Sequence, residues 1–534
     1  MKDARVNNLG GLLTRTARLF PSHYAVIAEG KSWTWKEVDQ RVQAMASALK
    51  NLGIAKGDRI LVLSRNNLQL FESSWVSFRM GCVWVPTNFR LTPPEVAYLA
   101  SSSGAKVMIY QKGFEDHAKR VLEEADSLKF LICIGDDEGD HQDYESMMES
   151  HLGQEFKDET VEYDDPLWFF YTSGTTGRPK AGVLTHGQMN FVVNNHLADL
   201  IPGTTEQDVS IAVAPLSHGA GVHMLLNVAR GASLVLMPGN KMDPELFWQL
   251  VERHRVSNLF TVPTIVKMLV EHESVDRYDH SSLRYMIYAG APMYRADQKK
   301  ALEKLGQVMV QYYGMGEVTG CITYLPTEMH SLDDEDPNAN IGSCGIPRTG
   351  MEIAILDSNL KSLKTGEVGE ICCRDPAVCA GYHDNPDATE EAMEGGWFHT
   401  GDLGYVDERG LVYITGRSSD MYISGGANVY PREIEEVLLT HPGVSEVAVF
   451  GVPDEKWGET GVAIVVRNPH TEIADEAALY QHLDGKCARY RWPSRFFFWD
   501  TMPKSGYGKI VKKDLREMLK SCLLYTSDAA DDGV

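Results

Sequence analysis

Helical stretches and short apolar runs alternate along most of this chain, and that alternation restricts its fold more than any other feature. From Trp33 to about Leu52 apolar residues recur at helical spacing, and Gly53 supplies a stop. Arg59-Ile60-Leu61-Val62-Leu63 follows as a strand-like run. Lys106 to Tyr110, Phe130 to Ile134, Val209 to Ala214 and Ser233 to Met237 all read as buried strands. The pattern predicts an α/β fold: a large N-terminal domain with mostly parallel sheets flanked by helices. From Tyr422 it changes to a small α+β arrangement. Helices are expected over 431–440, 474–485 and 510–520, and strands over 445–451, 461–467 and 495–500. The expected division is therefore 1–416, a hinge at 417–420, and a C-terminal domain at 421–521. The last stretch, CLLYTSDAADDGV (522–534), continues no pattern and reads as a disordered or foreign tail resembling translated adaptor sequence.

Charge narrows the partners. The 534 residues hold 51 Lys and Arg against 74 Asp and Glu, a net charge of −23, which disfavours a nucleic-acid coat or a polybasic membrane binder. No apolar run reaches transmembrane length, and the first residues lack the core of a secretory signal. The nine cysteines include no CxxC pair, which fits a reducing cytoplasm better than a disulfide framework. A monomer or homodimer is expected.

The segment from Trp168 to His186 carries the clearest chemistry. An apolar strand runs into Thr172-Ser173-Gly174-Thr175-Thr176-Gly177-Arg178-Pro179-Lys180. The two glycines let the backbone approach a ligand, the hydroxyls and exposed N–H groups can donate to phosphate oxygens, and Lys180 adds a point charge. It is not a Walker loop, because Pro179 precedes the lysine and Ala181 follows it.

This loop resembles the signature of the adenylate-forming superfamily, which holds acyl-CoA synthetases, peptide-synthetase adenylation domains and luciferases. Further blocks match in family order: Tyr313-Gly314-Met315-Gly316-Glu317, Gly366 to Ile371, Gly381-Tyr382, Trp397 to Asp402, Gly416-Arg417 through Gly425-Gly426, Pro431 to Glu435, and Pro503 to Ile510. The resemblance spans roughly 10–521 and is closest to a free-standing acyl- or aryl-CoA ligase, with feruloyl-CoA synthetase as one candidate.

The resemblance implies two half-reactions. A carboxylate attacks the α-phosphate of ATP, giving an acyl-adenylate and pyrophosphate; a thiol, that of coenzyme A, then displaces AMP. By the same resemblance Lys509 bridges the carboxylate and the adenylate oxygens, and Thr172 to Gly177 with Lys180 hold phosphate. Glu317 helps hold Mg²⁺, an ion suited to carboxylate oxygen. Asp402 takes the ribose hydroxyls with support from Arg417. Gly290, Ala291, Pro292 and Tyr313 flank adenine, Gly425 and Gly426 line the pantetheine tunnel, and Ser419 stands at the hinge. Two positions depart from the family pattern: Gly316, where a hydroxyl residue is usual, and Ser419, where Asp or Lys is usual. Taken singly, each of these residues has an ordinary structural role; the ordered blocks lift them.

The acid pocket is the least constrained part. His218, in Pro215-Leu216-Ser217-His218-Gly219, resembles the residue that gates the acid. The small residues Ala220, Gly221, Gly290, Gly314 and Gly316 suggest a wide slot, suited to a hydroxycinnamate such as ferulate. A medium- or long-chain fatty acid also fits, because one methylene discriminates by only ~1–3 kcal/mol. The same motifs also admit a stand-alone enzyme that charges a carrier protein, and a nucleotide-binding protein without catalysis. No carrier segment follows residue 521, which favours free CoA as acceptor.

Overall fold

The computed structural model describes residues 6–135, 141–172, 178–239, 241–291, 293–336, 339–424, 427–454, 456–468, 471, 475–504 and 510–519. The chain divides into two compact units, one of 1–353 with 373–399 and one of 354–372 with 400–534.

Two sheets organise the first unit. The seven-stranded sheet runs in the order Gln142–Asp143, Phe130–Ile134, Val107–Gln111, Arg59–Leu63, Val83–Pro86, Pro166–Thr172, Lys180–Thr185. All its neighbours are parallel except the last two strands, which form an antiparallel edge hairpin. The nine-stranded sheet has a parallel centre through Met309–Tyr313, Tyr285–Tyr288, Asn258–Thr261, Val209–Ala212, Ser233–Leu236 and Tyr24–Ala28, with antiparallel strands at both edges. Helices cover these sheets, so the central strands are buried on both faces and read as unbroken apolar runs. Helix Trp35–Asn51 opens on a capping box between Thr34 and Glu37, and helix His186–Asp199 on one between Thr185 and Gln188. Trp84 and Trp168 meet edge to face in the core, their ring centroids 4.6 Å apart.

The second unit holds most of a four-stranded sheet, ordered Glu352–Leu356, Gly369–Arg374, Phe398–Val406, Val412–Arg417. Its other sheet is built on Gly458–Arg467, which pairs antiparallel with Val444–Asp454 and with Tyr422–Ser424, and parallel with Arg495–Trp499. Helices Pro431–Leu439 and Glu476–Leu483 and the helical residues 512–519 accompany it. The α/β expectation, with a smaller α+β part after the parallel sheets, agrees with this architecture. The expected hinge residues 417–420 lie within the second unit, and the tail at 522–534 is outside the described residues. No helix among the described residues is long and apolar enough to cross a membrane.

Candidate active site

In the first unit the site is assembled on the edge hairpin. Its register sets Thr172 opposite Lys180. Ser173, Gly174, Thr175, Thr176 and Gly177, expected to cradle phosphate, lie outside the described residues. Both ends of that loop are held. Period-two alternation puts Trp168, Phe170 and Thr172 on one face of the strand, and Phe169 and Tyr171 on the other. On the second face Phe169 packs against His383 with centroids 4.4 Å apart, and the Tyr171 hydroxyl is 2.7 Å from Ser102 Oγ.

The first face reaches the other sheet. Glu317 sits on the 3₁₀ turn Gly316–Val318, just beyond strand Met309–Tyr313, and is only 7% exposed. Thr172 Oγ1 donates to Glu317 Oε1 at 2.7 Å, and the Tyr382 hydroxyl donates to the same oxygen at 3.2 Å. Both donors are neutral, so they satisfy the carboxylate without cancelling its charge. Such a carboxylate could hold a hard cation. Burial, and then the charge of Glu317, push the Tyr382 hydroxyl far above its ordinary pKa, which keeps it a donor. The Lys180 ammonium lies over the Tyr382 ring, 5.4 Å from its centroid.

Tyr382 is a residue of the site that the sequence shows only as part of a Gly-Tyr block. It reaches the site because 380–383 runs alongside the hairpin. Ala380 N–H donates to Val183 O, Val183 N–H to Gly381 O, and His383 N–H to Ala181 O, each at 2.9 Å. The φ of +115° at Gly381 is what lets the chain turn there.

Other expected residues also fall in the first unit. His218 precedes helix Gly219–Arg230, and its ring meets Phe170 edge-on with centroids 5.2 Å apart. Tyr313 ends its strand opposite Thr323. Gly290, with φ +83°, and Ala291 form an exposed turn after strand Tyr285–Tyr288, while Pro292 is outside the described residues.

In the second unit, Asp402 and Arg417 face each other across two antiparallel strands. Arg417 Nε is 3.2 Å from Asp402 Oδ1; the carboxylate is 6% exposed and the arginine is open to solvent. Asp420 N–H and Met421 N–H both donate to Arg417 O, so 417–421 is a tight turn with Ser419 exposed at its tip. Gly425, Gly426 and Lys509 lie outside the described residues.

A family model described as AMP-binding enzyme matches residues 13–383, well over half the chain, and a model of the AMP-binding enzyme C-terminal domain matches 433–509. The chain belongs to the AMP-binding enzymes. It is 35% identical to a feruloyl-CoA synthase of Amycolatopsis sp, over 96% of this chain and 99% of that one. It is 33% identical to the long-chain-fatty-acid–CoA ligase FadD13 of Mycobacterium tuberculosis, over 96% and 98%. Among solved structures, the anthranilate CoA ligase AuaEII in complex with anthranoyl-AMP superposes with a TM-score of 0.87 at 25% identity, over 96% of this chain and 97% of that one.

The packing of this AMP-binding enzyme gives three of the small residues expected to widen the acid slot another reason to be small. A Cβ on Gly221 would fall on the carbonyl oxygen of Leu216 and within 2.9 Å of the Trp168 ring. One on Gly314 would fall on the carbonyl oxygen of Gly320, and one on Gly316 would lie 2.5 Å from Phe170 Cε1. Ala220 is buried. Those three glycines are close-packed positions, and they say nothing about the width of a slot. Of the set, Gly290 alone has no neighbour closer than ordinary contact.

Proposed function

We propose that this AMP-binding enzyme is an ATP-dependent carboxylic acid–CoA ligase, and that its acid is aromatic, such as ferulate or another hydroxycinnamate. The enzyme works in two steps. A carboxylate oxygen attacks the α-phosphorus of ATP and the bond to pyrophosphate breaks. The CoA sulfur then attacks the acyl carbon, the bond to AMP breaks, and the thiol proton passes to solvent.

Observation supports this most directly at the Thr172–Glu317 hydrogen bond, which ties the start of the phosphate loop to a buried acid. Lys180 and the 172–177 backbone would hold the phosphates. Glu317 would hold Mg²⁺, which neutralises phosphate charge when bound. His218, with the Phe170 ring against it, would border the acid, and Gly290, Ala291, Pro292 and Tyr313 the adenine. Asp402 would accept from the ribose hydroxyls, a role its buried but charge-bearing oxygens suit. Lys509 would bridge the two reacting groups, Gly425 and Gly426 would line the route of the thiol, and Ser419 would mark a hinge at 417–420. Positioning and electrostatic stabilisation supply the catalysis in this reading. The proposed setting is the cytoplasm.

The aromatic acid rests on likeness to the feruloyl-CoA synthase over nearly the full length of both chains. The likeness to a long-chain-fatty-acid–CoA ligase favours an aliphatic acid as the second reading. One panel separates them: pyrophosphate release with cinnamates, benzoates and graded fatty acids, each with and without CoA. Acid-dependent release with hydroxycinnamates, and thioester only with CoA, is expected. Turnover confined to fatty acids overturns the aromatic assignment. Pyrophosphate release that never leads to a CoA thioester points to a carrier-protein acceptor.

A further inference from the structure

Strand Pro166–Thr172 carries more of the site than its last residue. Its inward face presents Trp168, Phe170 and Thr172 in succession, and each meets a different element. Trp168 fills the space beside Gly221 at the start of helix Gly219–Arg230. Phe170 meets His218 edge-on and stands against Gly316. Thr172 binds Glu317. The strand is thus a ruler laid from the acid side of the site to its phosphate side, with Phe170 in the middle.

Gly316 shows what Phe170 does there. Its φ is not in the left-handed region, so its backbone accepts any residue. The obstacle to a side chain is the Phe170 ring, 2.5 Å from a built Cβ at Cε1, followed by Thr172 Cγ2 at 3.2 Å. Gly221 and Gly314 differ in kind, because backbone carbonyls block them and no side-chain change can relieve that. Positions 170 and 316 therefore share one volume, and in this chain the ring owns it.

We propose that Phe170 is a specificity-determining residue of the acid site, acting as a pair with Gly316: the ring occupies the volume that a side chain at 316 would otherwise take and fixes the position of the His218 imidazole. Phe170 is half-buried, so part of its ring remains open to contact an acid lying against His218. A close-packed ring cannot yield to an added methyl group without shifting its neighbours. Changing Phe170 alone therefore moves the wall of the acid site and leaves Thr172, Glu317 and Lys180 in place, whereas a methyl group at 316 meets the ring first and then Thr172 Cγ2.

This inference rests on the ligase reading given above. The test is a double-mutant cycle on the full chain, with Phe170→Ala, Gly316→Ala and the pair, and Phe170→Leu as the conservative companion. Each protein is assayed for pyrophosphate release with ferulate and with octanoate, and its KM for ATP is measured. Gly316→Ala alone is expected to lose about tenfold or more in kcat/KM for the preferred acid, and less than about threefold when introduced into Phe170→Ala. Phe170→Ala and Phe170→Leu are expected to change the ferulate-to-octanoate ratio by about tenfold, with KM for ATP constant within about twofold. Additive effects in the cycle, or an unchanged acid ratio with lowered thermal stability, would show a merely structural ring and overturn the proposal. A wild-type protein that releases no pyrophosphate with any acid overturns the ligase reading itself. Thermal unfolding of the same four proteins distinguishes that case: strong coupling in melting temperature would show the two positions in contact all the same.

Discussion

At the scale of single residues, Glu317 and Tyr382 form a graded pair. On the ligase reading the carboxylate would be the charge that a cation beside the phosphates needs, and the phenol would only orient it. Glu317→Gln keeps the shape and removes the charge. It is expected to cut kcat by about a hundredfold or more, with partial recovery at raised Mg²⁺. Tyr382→Phe removes one hydrogen bond to a charged group and should cost roughly tenfold, mainly in kcat/KM for ATP. Equal losses from the two variants would contradict this ranking. The glycines make a different prediction. Gly221→Ala must push its methyl against the Leu216 carbonyl, so it should destabilise the fold by about 1–3 kcal/mol or more, measured by denaturant unfolding. Glu317 is legible in the sequence because a glycine- and tyrosine-bearing block surrounds it. Phe170 gives no such signal. Its meaning depends on what lies across the gap at 316, and that neighbour is far away in the chain.

Among the elements, buried parallel strands are the most legible. Arg59–Leu63 and Phe130–Ile134 begin and end where their apolar runs do, because a strand covered on both faces has no polar residue to blur its limits. The hairpin's second strand, Lys180–Thr185, leaves no such trace. Its residues, Lys-Ala-Gly-Val-Leu-Thr, show no period-two alternation, and the strand is paired with Pro166–Thr172 on one side and with 380–383 on the other. The passage from this strand into helix His186–Asp199 rests on Thr185, whose side chain accepts from Gln188 N–H while the Gln188 side chain accepts from Thr185 N–H. Thr185→Ala should therefore cost about 1 kcal/mol in unfolding free energy, with KM for ATP changed little. A large loss of activity at unchanged stability would mean that the strand–helix junction positions the phosphate loop more tightly than its capping bonds imply.

For the whole molecule, buried imidazoles dominate the response to acid. Burial lowers the pKa of His186, His223 and His330 to about 4 each, and burial together with Arg348 also holds His196 well below its ordinary value. These groups are neutral in the fold and take a proton near 6.5 once unfolded. Between about pH 6.5 and 4 the unfolded chain binds more protons, so stability falls as pH falls through that window. Glu72 and Asp158, whose pKa values burial raises, work in the opposite direction. The melting temperature is expected to be flat near neutrality and to drop progressively below about pH 6.5. A flat profile down to pH 4.5 would refute the picture of neutral buried histidines. The net charge of −23 foretells none of this, since it reports the surface and these groups are inside.

The register of the hairpin has a consequence for how such a gene can change. Thr172 and Lys180 are pinned opposite each other, and both strands are fixed to neighbours beyond the loop. A codon gained or lost between 172 and 180 would therefore not slide the flanking strands; the misfit would stay in the loop. If the loop holds phosphate as proposed, such an indel is expected to yield a protein that folds yet turns over nothing. On the ligase reading, reading-frame-preserving length variation at this one place is thus a route from enzyme to inert homologue that leaves the scaffold untouched.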